Sequence, residues 1–213
     1  MISLVSLFLP AGAQEFRGSV SAEFDILPQL QGEVEIELRT IFYPESYFNR
    51  TFQGELNYEI NSLWSIGGTY SFAIVDEDHE FEDDDEGETG DRNKWVVDLT
   101  FQPARFKSDL RLSNRLRYQF TLDEDDEPKM YLRNKLTLDY KITGKMNPYI
   151  AVEPYFRFDS NKIKIIRVYL GNEMPFFSTK IDLYYIVEIR PDREYTTTAQ
   201  YIVGVAFELD FKK

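Results

Sequence analysis

Charged side chains in this chain recur at every second position. Glu33, Glu35 and Glu37 form one row, and Glu55 with Glu59 a second. Arg111, Arg115 and Arg117 form a third, Arg133 with Lys135 a fourth, and Glu153 with Arg157 a fifth; Asp182 and Glu188 follow. A period of two puts each row on one face of a strand. If these faces share one narrow interior, opposite signs should pair, because burying either set alone costs several kcal/mol per ion. Two uses follow. The charges form a salt-bridge network that fills and stiffens a small barrel, or they line a polarised channel or pocket for a small charged solute.

A second candidate lies in Asp76-Glu77-Asp78-His79-Glu80-Phe81-Glu82-Asp83-Asp84-Asp85-Glu86. Carboxylates are hard oxygen ligands, so Asp76, Asp78, Asp83 and Asp85 are weak candidates for Ca²⁺ or Mg²⁺ that bridges to lipopolysaccharide. The spacing lacks the Gly and Glu offsets of an EF-hand, and blocks of like charge usually serve as solvated surface. His79 is the single histidine. Hydrolytic chemistry would need a base of this kind beside an activated nucleophile, and no serine stands in such a context. No catalytic residue is assigned, and an enzymatic role is disfavoured. No phosphate loop, zinc spacing or cofactor motif is present, so no cofactor is implied.

The 213 residues suffice for one substantial domain. With no cysteine there is neither a disulfide framework nor a thiolate metal site. A formal charge of -13 argues against nucleic acid as a partner. The 14 Tyr and 17 Phe suit strands. Mean hydropathy is -0.41, and no apolar run is long enough for a membrane helix. Residues 1–13, an apolar stretch ending in Ala11-Gly12-Ala13, read as a truncated secretory signal peptide without its basic start, leaving 14–213 as a single barrel domain.

The elements that must position the charges are strands. Alternation marks eleven candidates: 16–26, 33–42, 51–60, 64–74, 95–102, 106–120, 130–142, 149–158, 162–170, 180–190 and 201–211. The last sets Tyr201, Val203, Val205, Phe207, Leu209 and Phe211 against Ile202, Gly204, Ala206, Glu208 and Asp210. The small residues near Gly204 would leave room in the wall for longer cationic side chains. Phase breaks at Ile165-Ile166, which predicts a β-bulge. Short connections alternate with longer, more acidic ones, as in outer-membrane barrels. Both chain ends on one side would require an even strand number: ten if 16–26 does not span, or twelve with one more strand.

Alternation alone does not say which way the apolar face points. A lipocalin-like barrel or a two-sheet sandwich would turn it inward. Three features favour lipid: strands longer than the five or six residues usual in soluble sheets, more large apolar side chains than one small lumen holds, and aromatics near segment ends. The predicted fold is therefore all-β, an antiparallel transmembrane β-barrel of ten to twelve strands.

The runs Leu112-Ser113-Asn114-Arg115-Leu116-Arg117-Tyr118-Gln119, Tyr131-Leu132-Arg133-Asn134-Lys135-Leu136, Pro148-Tyr149-Ile150-Ala151-Val152-Glu153 and Leu183-Tyr184-Tyr185 carry a family likeness. In these the chain resembles the bacterial family called domain of unknown function 2490. The resemblance implies an outer-membrane β-barrel of a Gram-negative bacterium and transfers no catalytic residues. The expected role is a small structural or transport-related barrel with a charged, largely plugged lumen or narrow pore; the alternative is adhesion or binding through acidic external loops. Expected partners are outer-membrane lipid, the barrel-insertion machinery through the C-terminal strand, and divalent cations at the acidic loop.

Overall fold

A strand with one apolar and one polar face still carries backbone donors and acceptors on both edges, and a ring of strands satisfies all of them. The computed structural model describes residues 14–42, 47–75, 92–103, 109–123, 128–142, 146–176, 179–191 and 198–211. These residues form β1 (Glu15–Leu27), β2 (Leu30–Ile41), β3 (Tyr47–Glu59), β4 (Trp64–Val75), β5 (Arg92–Phe101), β6 (Leu110–Asp123), β7 (Lys129–Tyr140), β8 (Asn147–Arg157), β9 (Lys162–Phe176), β10 (Thr179–Arg190) and β11 (Thr198–Asp210). Each strand pairs antiparallel with the next, and the ring closes where β1 meets β11.

The closing pair corrects the even-number expectation. Residues 16–26 lie in β1, hydrogen-bonded to β2 on one side and to β11 on the other, and the described strands number eleven. An odd number of alternating strands brings the first and last into the ring in the same direction. The β1–β11 pairing is accordingly parallel, from Glu15↔Ile202 to Glu23↔Asp210. Glu15 and Asp210 therefore stand at opposite rims. The connections after odd-numbered strands, such as the one between Leu27 and Leu30, share the rim of Asp210, here the turn rim. Those after even-numbered strands, including the one between Val75 and Arg92, share the rim of Glu15, the loop rim.

The apolar face points outward. Val34, Ile36 and Val97, each near the middle of a strand, are 52%, 49% and 54% exposed, whereas Ser71, Asp98, Glu153 and Glu188 inside are almost fully buried. A sandwich or lipocalin-like barrel would show the reverse. A strand of twelve residues is about 40 Å long, and the tilt usual in barrels shortens its span to about 30 Å. Aromatic rings gather at both rims of the outer surface. Trp64 packs on Phe101 at 4.6 Å near the turn rim; Tyr70, Trp95 and Phe120 follow one another at 5.5 and 5.7 Å near the loop rim.

Two irregularities bear on the lumen. The β8–β9 register shifts between Tyr155↔Ile165 and Phe156↔Ile163, leaving Lys164 as the extra residue of a bulge. It adjoins the Ile165-Ile166 phase break, and it turns Ile165 inward while Ile163 stays out. The turn that precedes β9 carries Asn161 at φ 53°, a left-handed conformation that Asn tolerates well. In the β7–β8 ladder, pairing lapses between Arg133↔Tyr155 and Leu136↔Val152. Pro154 sits opposite that gap and has no N–H to donate.

Candidate functional site in the barrel lumen

The strands deliver their polar rows to the interior, and the rows of opposite sign meet there. Glu153 of β8 is the most heavily bonded. Its Oε1 accepts from Arg133 Nε and Nη2 at 3.1 and 2.9 Å, and its Oε2 accepts from the Tyr169 hydroxyl at 2.6 Å. Arg133 also donates to Gln119 at 2.7 Å and lies 4.2 Å over the Tyr155 ring. Glu188 of β10 holds Arg167 at 2.7 Å and Arg190 at 2.9 Å. Asp98 of β5 grips Arg117 through two parallel bonds of 2.6 Å, the fork geometry that suits a guanidinium. Glu15 takes Arg17 at 2.5 Å and Arg39 at 3.2 Å, while Arg39 reaches Glu37 at 3.3 Å. Charge-assisted bonds at these lengths compensate much of the desolvation.

Of the residues singled out from the sequence, Glu33, Glu35, Glu37, Glu55, Arg115, Arg117, Arg133 and Lys135 line one mid-lumen cavity of about 430 Å³. Arg111 lies towards the turn rim, paired with Asp139 at 3.0 Å and about half exposed. Arg157 lies at the loop rim with Asp159 at 2.6 Å. Glu59 ends β3 exposed, away from the cavities. Asp76, Asp78, Asp83 and Asp85 lie outside the described residues, as does His79. No cluster of metal-ligating side chains occurs among the described residues.

Two further cavities flank the central one. Towards the turn rim a chamber of about 350 Å³ shares Glu55, Arg115, Lys135, Tyr149 and Asp182 with it. Towards the loop rim a chamber of about 130 Å³ shares Arg39, Lys94, Arg133 and Arg167. The loop-rim chamber is lined by seven cationic side chains and no carboxylate, whereas carboxylates outnumber cations five to three in the turn-rim chamber. Charge sign thus changes along the barrel axis.

Sequence reasoning missed part of this lining. Arg167 and Lys94 were not assigned, although each lines two of the chambers or their junction. Arg167 follows the bulge, where alternation no longer tells in from out. Apolar groups also point inward: Ala151, Tyr169, Ile186 and Ile202 form one buried cluster, and Tyr131, Tyr155 and Ile165 another. An isoleucine between Tyr184 and Glu188 on a polar face was the available signal. The space beside Gly204 is not open to cations. A Cβ there would meet the Tyr184 ring at 2.0 Å, so the ring of the neighbouring strand fills the space over the glycine. Tyr149 covers Gly171 in the same way and donates to Asp182 at 2.8 Å.

Residues 18–198 match the family model described as "Protein of unknown function (DUF2490)". That match spans β1 to the start of β11. The chain belongs to this family. No curated protein matches the chain. For this DUF2490 member the matched region holds β2 to β10 and most of β1, and with them most of the charged lining, while Glu15, Arg17 and nearly all of β11 lie beyond it.

Proposed function

We propose that this DUF2490 protein is an outer-membrane β-barrel of a Gram-negative bacterium whose narrow, charged lumen admits small solutes. The carrying observation is the combination of an apolar outer band on every side with three adjoining polar chambers inside. Exposed to water, that band would far exceed the apolar patches soluble monomers tolerate. Exposed to hydrocarbon, its strand length and its two aromatic rims match a bilayer. Barrels leave no unpaired backbone in lipid, which a membrane requires. Residues 1–13 serve as the export signal in this reading, and the aromatic-rich last strand addresses the insertion machinery. The role is transport-related rather than enzymatic.

Two measurements test it. The folded protein should be extracted from membranes only by detergent and should migrate faster on gels unheated than boiled. In a planar bilayer it should carry a small ion current. Full solubility without detergent after correct folding would overturn the membrane assignment, and silence at every voltage would overturn the solute route.

A further inference from the structure

Like charges stand directly opposite one another at several places in the lumen. Among them are Arg17 with Arg39, which Glu15 and Glu37 neutralise, and Glu173 with Asp182, to which Tyr149 donates. On β1–β3, Glu33 is in register with both Glu23 and Glu55. On β6–β7, Arg115 is in register with Lys135, and Arg117 with Arg133. Directly opposed like charges destabilise a sheet, so each cluster needs compensation. Arg117 and Arg133 receive it from Asp98 and Glu153. Among the described residues, no ion pair joins Glu33, Glu35 or Glu55 to any cation, nor Arg115 or Lys135 to any carboxylate. The three carboxylates accept neutral bonds, Glu33 from Ser21, Glu35 from Ser19 and from Gln53 at 3.2 Å, and Glu55 from Thr69 at 3.1 Å, and Lys135 rests 4.1 Å over the Tyr169 ring. All five line the same cavity of about 430 Å³. In the closed ring the carboxylates stand on β2 and β3 and the cations on β6 and β7, with two strands between the groups.

We propose that this chamber is a binding site for a small zwitterion of amino-acid or dipeptide size. Its ammonium would sit against Glu33, Glu35 and Glu55, and its carboxylate against Arg115 and Lys135. A solute with both charges compensates both walls at once. A singly charged solute would leave the opposite wall as it was. The volume lies within the range of small-molecule sites, and a guanidinium is the preferred partner of a carboxylate. Arg115, Lys135 and Glu55 also line the turn-rim chamber, so the site stands at a junction on the solute route. This rests on the reading of the barrel as a solute-admitting lumen.

The test uses the full chain refolded in detergent micelles, with folding verified by its gel shift on heating. It is titrated calorimetrically at low salt with alanyl-alanine, with N-acetyl-alanyl-alanine, which keeps only the carboxylate, and with alanyl-alanine amide, which keeps only the ammonium. The free dipeptide should bind about ten-fold or more tightly than either blocked form. Glu33→Gln and Arg115→Gln should each bring it down to the blocked level, while Arg115→Lys should keep most of its affinity. Equal binding of the three probes, or none by any, overturns the proposal. So does tightest binding of the acetylated form, which would move the site to the all-cationic chamber. Because binding is read on the folded barrel in detergent, failure here is distinct from failure of membrane extraction or of conductance.

Discussion

At the scale of single residues, the surroundings of an ion pair decide its worth. Glu153 is 1% exposed and keeps Arg133 and Tyr169 in place. Removing its carboxylate with Glu153→Ala leaves a guanidinium without its counterion and should cost about 3–5 kcal/mol. Arg111 is about half exposed beside Asp139, and Arg111→Ala should cost about 0–1 kcal/mol. Urea unfolding from phospholipid vesicles measures both, and equal losses would mean that the lumen is wet throughout. Gly204 gives a second contrast. The ring of Tyr184 occupies the position of its missing side chain, so Gly204→Val should cost about 1–3 kcal/mol as an overpacked site. Adding Tyr184→Ala should restore part of that loss in the same assay, whereas purely additive costs would count against the contact.

At the scale of elements, side chains and backbone share the work of holding neighbouring strands. The ladder between β7 and β8 lapses opposite Pro154, and Arg133 and Glu153 bridge those same strands from inside. At the closing seam the backbone does the joining, in parallel register. Because the chain has no cysteine, that register can be read by cross-linking. Ser19 and Ala206 are partners, so Ser19→Cys with Ala206→Cys should oxidise to an intramolecular disulfide. Ser21→Cys with Ala206→Cys, two residues out of register, lies beyond the reach of about 7 Å that a disulfide allows. A gel shift under non-reducing conditions checks it, and cross-linking of both pairs alike would disprove the register. The strand elements were legible because nearly all repeat a period of two over eight or more residues. The bulge at Lys164 was legible as a break in that period. The parallel seam was not, because alternation carries no information about which strand meets which.

At the scale of the whole molecule, the apolar band makes one claim that a single substitution can address. Val97 lies at the middle of β5 and is 54% exposed. An arginine there would meet hydrocarbon near the bilayer midplane, and Val97→Arg should destabilise the barrel in vesicles by about 2–4 kcal/mol. In water the same change would be close to neutral, so unchanged urea midpoints in vesicles would argue against a membrane-facing band.

The alternation of charged and apolar side chains by itself determined that the described elements are strands with two chemically distinct faces, because period is a local property of the chain, and the absence of cysteine ruled out a disulfide. It also placed Glu33, Glu35, Glu55, Arg115 and Lys135 on the polar faces. Only the tertiary structure decided that those faces look into one ring of eleven strands and that β1 closes it in parallel. It alone decided which charges find a partner and which stay apart. Closure, register and the distance between opposite walls join residues far apart in the chain, and no pattern of neighbours can encode them.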